Sequence, residues 1–226
     1  KAIPYDAPSE FLTLYDELQQ SKTKLLRQQF ILEDKVNKRT QELNKANIAL
    51  KELANKDSLT GLYNRRYLEN KFSELQAILS RNNADMVVAM LDLDHFKQLN
   101  DEYGHLIGDN CLTYISDVMK RKFDRRSDIV ARFGGEEFII VAQSNDNNGV
   151  LQMLEEFREE VEQHSFPHDS HNFVNITISI GTITAKAKLS ANIDDWVRLA
   201  DEQLYHAKSR GRNQLSNNNL TGASLN

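Results

Sequence analysis

From Ser9 to Lys56 the chain contains no proline or glycine, and its apolar positions return every seven residues. Leu18, Leu25 and Leu32 form one series, continued by Ala46 and Leu53. Val36, Leu43 and Leu50 form a second, offset by four. Two interleaved series at this spacing predict a long parallel coiled coil with a polar outer face. Lys22, Gln29 and Arg39 fall on the seam where apolar residues would be expected. A single amphipathic helix lying on its own domain is the alternative. It fits less well, because nothing else in the chain requires so long a cover.

The heptads stop at "DSLTGLYNRR" (Asp57 to Arg66), where Asp57 or Ser58 can cap a helix and Gly61 and Asn64 favour a turn. The domain boundary is placed here. Tyr67 to Ser80 then returns to helical spacing. "DMVVAMLDLD" (Asp85 to Asp94) is a nearly unbroken apolar run ending in carboxylates, the pattern of a central strand buried on both faces. Helical patterns follow, broken at Gly104 and Gly108, the second running to about Phe123. "DIVARF" and "EFIIVAQ" read as strands joined by a hairpin at Gly134 and Gly135. Asp146 to His164 reads as a helix, "NFVNITISIGTIT" as one long strand with a bulge at Gly181, and Asn192 to Ser209 as a helix ended by Gly211. This order predicts an α+β sandwich, a central mixed β-sheet with helices on one face, preceded by the long helix. Three segments result: 1–56 a dimerisation helix, 57–215 a folded domain, and 216–226 an Asn/Ser-rich disordered tail.

The net charge of −5 argues against a general nucleic-acid or membrane-surface binder, and no nucleic-acid partner is expected. The charge is uneven: residues 1–56 carry 10 Lys/Arg against 8 Asp/Glu, and the remainder 18 against 25. An acidic domain that holds a polyphosphate needs a metal ion or well-placed cations. Cys111 is the single cysteine, so no intrachain disulfide forms, which suits a reducing compartment. The sequence has neither a signal peptide nor an apolar run of about 18 residues, and a cytoplasmic location is expected. Because the chain opens at Lys1 rather than Met, an upstream sensor or membrane anchor is expected as well.

Candidate chemistry gathers at the strand ends. Asp92 and Asp94 close the first strand. They are read as facing opposite ways, so that only one shares a site with Glu136 in "RFGGEEF". Two carboxylates and a backbone carbonyl, with open positions left to phosphate oxygens, suit Mg²⁺. "DLDHFKQLNDEYGHLIGD" adds a cation, Lys97, and the polar side chains Asn100, His105 and Asp109. An amide and a carboxylate together can read the hydrogen-bonding edge of guanine. "HAKSRGRNQ" places Lys208 and Arg212 at the end of a helix, where cations also complement the helix dipole. His164, His168 and His171 read as surface histidines of a loop rather than a zinc site, Cys111 as a small helix residue, and Trp196 as a packing residue.

Five segments, "DSLTGLYNRR", "MLDLDHFKQLNDEYGHLIGD", "RFGGEEF", "ISIG" and "ADEQLYHAKSRGRN", run in the order seen in GGDEF-domain diguanylate cyclases. Over about residues 57–213 the chain resembles that family. The resemblance implies a fold like the adenylyl cyclase and polymerase palm domains, and the condensation of two GTP into cyclic di-GMP with release of two pyrophosphates. It implies Mg²⁺, or Mn²⁺ in its place, held by Asp92, the Leu93 carbonyl and Glu136 with help from Glu137. Glu136 is the implied base for the 3′-hydroxyl. Asn100 and Asp109 are implied to read guanine with His105 and Phe96 close to the nucleotide, and Lys97, Lys208 and Arg212 to contact phosphates. Gly134 and Gly135 let the backbone approach the triphosphate. Arg125 and Asp128 match an RxxD product-inhibition site, with Arg158 as an accessory cation. Since one site holds one GTP, the implied enzyme is a homodimer, joined here by the coiled coil. A catalytically inactive nucleotide-binding signalling module is the alternative.

Overall fold

The computed structural model describes residues 9–125, 127–144, 149–168 and 172–220. Two compact units divide between Ala54 and Asn55. The first is a single helix, α1 (Ser9–Asn55). At 1.5 Å per residue its 47 residues extend about 70 Å. Its heptad side chains Leu18, Leu25, Leu32, Val36, Leu43 and Leu50 are 55–69% exposed, so within one chain the apolar seam has no cover. Among the described residues no helix is long and apolar enough to cross a membrane.

The second unit runs β1 (Tyr63–Asn64), α2 (Arg65–Arg81), β2 (Asp85–Leu93), α3 (Phe96–Tyr103), α4 (His105–Lys122), β3 (Ile129–Gly134), β4 (Glu137–Ser144), α5 (Gly149–Gln163), β5 (Ser165–Pro167), β6 (Phe173–Asn175), β7 (Ile178–Lys186), α6 (Ile193–Ser209) and β8 (Leu215–Asn219). Six strands form one mixed sheet in the order β1-β3-β4-β2-β7-β8. The central strand β2 is antiparallel to both β4 and β7, while the edge strands β1 and β8 are parallel to their neighbours.

The apolar run of β2 explains the layering. Met86, Val88 and Met90 pack with Phe72 of α2 and Trp196 and Leu204 of α6. Val87, Ala89, Leu91 and Leu93 pack with Ile115 of α4 and Phe157 of α5. Helices therefore cover both faces of the sheet, not one as expected, because a strand apolar at every position needs a cover on each side. Burying each Val, Leu or Met among them is worth roughly 1.5–3 kcal/mol.

Several local expectations change. The helix break predicted at Gly108 is absent, and that glycine lies inside α4. The long strand predicted from Asn172 is two strands. The β2 ladder reaches only Leu93↔Ile178, so the preceding residues lose their partner and β6 pairs with β5 instead. Gly181 is not a bulge, since the β2–β7 register is regular through Met90↔Gly181. A Cβ there would collide with the backbone of Ala200 and Leu204, so the glycine lets α6 lie close on the sheet. The tail expected to be disordered from Ser216 forms β8, whose Asn217 accepts a hydrogen bond from Thr182 Oγ1 at 2.9 Å. Residues 145–148, 169–171 and 221–226, which include parts of the predicted helix, His171 and the rest of that tail, lie outside the described residues.

Candidate active site

Strand register builds the centre of the site. In the β2–β4 ladder Asp92 stands directly opposite Glu137, the first residue of β4, and Glu136 sits in the turn just before it. From α6, Lys208 Nζ reaches Asp92 Oδ1 at 2.8 Å. Burial pushes the Asp92 carboxyl above the usual range. Lys208 opposes this, and the charges of Glu136 and Asp94 add to it. Glu137 is also pushed up, first by burial, then by Asp92 and Asp201, with Lys208 opposing. The pair thus carries more negative charge than one ammonium offsets.

That surplus, on hard oxygen donors, fits a divalent cation. Among the described residues no three His, Cys, Asp or Glu side chains converge to cage a metal by themselves. Mg²⁺ does not require such a cage, since it commonly takes one or two carboxylates and fills its remaining positions with water and phosphate oxygens.

Asp94 was expected to face away from Asp92. Side chains two apart along a strand share a face, and although Asp94 lies one residue past β2, both carboxylates meet groups at or just beyond the end of α6: Lys208 for Asp92, the Asn213 N–H for Asp94. What separates them is their partners. Asp94 is saturated by Thr177, Ser179 and Asn213, while Asp92 faces the turn.

The turn is clamped. A bulge lies between Arg132 and Gly134, and Gly135 takes the left-handed φ of 50° that favours glycine. A Cβ at Gly135 would meet nothing within 4 Å, so the space in front of the turn is open. Arg132 Nε donates to the Gly135 carbonyl at 2.9 Å, and its Nη1 to Asp57 Oδ1 at 3.1 Å. Asp57 also accepts from the Thr60 N–H and hydroxyl. Burial opposes ionisation of Asp57, but the Thr60 bonds and the Arg132 guanidinium together hold its carboxyl below the usual value. Sequence reasoning gave Asp57 only a capping role and Arg132 none. The available signal was that Asp57 lies in "DSLTGLYNRR" and Arg132 in "RFGGEEF".

A second group forms where α3 meets α4. Asn100 Oδ1 is buried without a hydrogen-bond partner. Gly108 of α4 faces it, and a Cβ there would collide with that oxygen and come within 3.1 Å of the Phe96 ring. Asp109 follows Gly108 and His105 opens the helix, both exposed. Lys97 is exposed on the first turn of α3, and Arg212 is exposed just past α6.

Arg125 and Asp128 come together before β3, where the Asp128 N–H donates to the Arg125 carbonyl at 2.9 Å. Burial raises the Asp128 carboxyl, with Arg125 opposing. Both line a cavity of about 330 Å³ with Lys56 and Lys120. Within this chain Arg158 is not brought there. Its guanidinium bonds Glu155, Glu162 and Asn213, and Asn213 lies by Asp94 near the β8 edge, whereas β3 lies on the other side of β2. His164 stacks on Tyr114 with ring centroids 3.7 Å apart, and His168 meets Tyr103 edge-on. Trp196 is fully buried and donates to the Ser190 carbonyl. Cys111 is buried and its thiol is pushed up to about 12, which suits packing rather than reactivity.

The site is thus a mixed sheet with acidic residues at the end of its central strand, a lysine beside them and an open glycine turn. Residues 54–214 match the family described as diguanylate cyclase, GGDEF domain, and the chain belongs to that family. It is 38% identical over 159 residues to diguanylate cyclase DgcP of Pseudomonas aeruginosa, covering 70% of this chain and 23% of that protein. It is 35% identical over 182 residues to diguanylate cyclase A of Treponema denticola, covering 78% and 48%. The fold is similar to the coiled coil and GGDEF domain of DgcB from Caulobacter crescentus, solved in complex with c-di-GMP. The TM-score is 0.73 at 27% identity, over 91% of this chain and 100% of that one. The chain spans less than half the length of these two curated relatives.

Proposed function

We propose that this chain is a diguanylate cyclase that condenses two GTP into cyclic di-GMP. The observation that carries the reading is the β2–β4 register, which sets Asp92 against Glu137 with Glu136 in the open turn and Lys208 alongside. Asp92, the Leu93 carbonyl and Glu136, helped by Glu137, would hold Mg²⁺, or Mn²⁺ in its place. A bound ion supplies charge neutralisation at the transferring phosphate and polarises the attacking hydroxyl. Glu136 takes the proton from the 3′-hydroxyl. The oxygen bonds to the α-phosphorus, the α–β bridge breaks and pyrophosphate leaves. Lys97, Lys208 and Arg212 bind phosphate oxygens, as fixed cations do for developing charge. The unpartnered Asn100 oxygen, with Asp109, reads guanine, while His105 and Phe96 border the base.

Each domain holds one nucleotide, so each hydroxyl attacks the GTP of a second chain. The open seam of α1 supports a homodimeric coiled coil that supplies this second domain at high effective concentration. In this reading 1–56 is the dimerisation helix and 57–215 the catalytic domain, and cyclic di-GMP feeds back at Arg125 and Asp128. The test is incubation with GTP and Mg²⁺ while cyclic di-GMP and pyrophosphate are followed. Product should form in wild type and not in Asp92→Asn. GTP binding without product in dimeric wild type would sink the cyclase reading in favour of an inactive nucleotide-binding module.

A further inference from the structure

Gly211, Arg212 and Asn213 are consecutive residues with positive φ of 117°, 63° and 45°. Gly211 ends α6 in a Schellman arrangement: its N–H donates to the Lys208 carbonyl, and the Arg212 N–H to the Ala207 carbonyl at 3.1 Å. That arrangement needs one left-handed residue, which the glycine supplies. Arg212 and Asn213 continue the left-handed backbone into residues that carry a Cβ, where it is strained.

Contacts from distant parts of the chain hold this strain. Asp94 is 6% exposed. Its Oδ2 accepts from the Asn213 N–H at 3.0 Å and Thr177 Oγ1 at 2.7 Å, and its Oδ1 from Ser179 Oγ at 2.7 Å. The Asn213 side chain is gripped from α5. Its Oδ1 accepts from Arg158 Nη1 at 2.8 Å, and its Nδ2 donates to Glu162 Oε1 at 2.9 Å. Arg158 and Glu162 are themselves paired at 2.8 Å. Backbone strain that its surroundings over-determine is concentrated at functional segments. The segment held here carries Arg212 and folds it back on the last turn of α6, which bears Lys208.

We propose that Asp94 is a positioning residue for the triphosphate of the nucleotide. With the Arg158–Glu162 clamp it holds residues 212 and 213 left-handed, so that Arg212 joins Lys208 as a phosphate contact. The inference rests on the phosphate-binding reading of Arg212. It assigns Asp94 no metal, and it gives Arg158 a task away from the inhibitory site.

The experiment is steady-state kinetics of the full chain with GTP and Mg²⁺, comparing Asp94→Asn, Arg212→Ala and the double variant. Asp94→Asn should raise KM for GTP about five- to tenfold with a much smaller change in kcat, and should add nothing in the Arg212→Ala background. Asn213→Ala and Asn213→Gly keep the test open if Asp94→Asn folds poorly. Glycine adopts positive φ freely, so KM should rise less for Asn213→Gly than for Asn213→Ala. Losses that multiply in the double variant, or a fall in kcat at unchanged KM, overturn the positioning role while leaving the cyclase reading intact. Wild-type chain that neither binds nor turns over GTP overturns both.

Discussion

The Arg132 guanidinium joins the Asp57 carboxylate at 3.1 Å, between side chains 16% and 23% exposed, while its Nε holds the Gly135 carbonyl. One side chain thus ties the "DSLTGLYNRR" motif to the glycine turn that carries Glu136. Removing the charge on Asp57 leaves Arg132 without its anionic partner. Asp57→Asn is expected to cost about 1–3 kcal/mol of stability, measured by urea unfolding at neutral pH. The folded carboxyl lies below its ordinary value, so the stability it confers is present above the unfolded pKa and lost as pH falls through the lower, folded one. The gap between wild type and variant should close in that acidic window. A gap independent of pH would sink the electrostatic account.

Glu137 has the opposite sign. Its carboxyl is raised, first by burial and then by Asp92, which it faces across the ladder. Its ionised form therefore destabilises the fold once pH rises above the folded pKa, and the penalty is absent below the unfolded one. Without metal at neutral pH, Glu137→Gln should stabilise the protein by roughly 0.2–1 kcal/mol, the scale of a cross-strand pair. The gain should vanish at low pH. A metal-free melting series over pH reads both; a loss of stability at neutral pH would contradict the repulsion.

What was legible in the sequence was local. The heptads of α1, the apolar run of β2 and the glycine turn each announce themselves within a few residues. A site shared by Asp92 and Glu136 was expected from the motifs, but that Glu137 is the residue directly across from Asp92 is visible only in the ladder register. What escaped depends on partners far along the chain. Arg132 and Asp57 are 75 positions apart, and Asp94 and Asn213 are 119 apart. The strand β8 is written in Asn and Ser, whose composition resembles a loop until Thr182 and Thr184 supply hydrogen-bond partners. Arg158 reads as a free cation in sequence and is spoken for in space by Glu155, Glu162 and Asn213.

Gly108 is a glycine because Asn100 occupies the space a side chain would need. Gly108→Ala should push the Asn100 amide out of position. The expected loss is about ten- to hundredfold in kcat/KM for GTP, with a smaller loss for inosine triphosphate, which lacks the exocyclic amine. Equal losses for the two nucleotides would mean that the amide does not read the base. Overpacking should also cost about 1–3 kcal/mol of stability, so activity is compared below the unfolding transition.

Arg125 and Asp128 border a cavity with Lys56, Lys120 and Asp124, whose three cations, set beside two carboxylates, suit the phosphates of a cyclic dinucleotide. Arg125→Ala should raise the inhibition constant for cyclic di-GMP at least about tenfold, the scale of a lost charge-assisted contact, with the initial rate unchanged. Arg158→Ala should leave that constant unchanged within one chain's site, because its guanidinium is engaged elsewhere. An inhibition constant unmoved by Arg125→Ala would remove this loop from regulation.

The polar seam of α1 yields the last prediction. Gln29 bonds Glu33 and Arg39 pairs with Glu42 along the same helix, so these seam residues have partners without a second chain. In a coiled coil, polar seam residues reduce stability and loosen or specify register. Replacing Lys22, Gln29 and Arg39 with Leu or Ile should therefore tighten dimerisation, seen as a lower dissociation constant by analytical ultracentrifugation. It should also fix one helix register, and with it the relative placement of the two catalytic domains. The specific activity of fully dimeric protein should then change, upward if the fixed register brings the two nucleotides together and downward if it holds them apart. Leu25→Asp is the complementary variant: a charge on an apolar seam position should dissociate the dimer and lower activity in a way that higher protein concentration partly restores. Unchanged activity in a seam-filled variant shown to be dimeric would remove the polar positions from regulation and leave α1 as a tether.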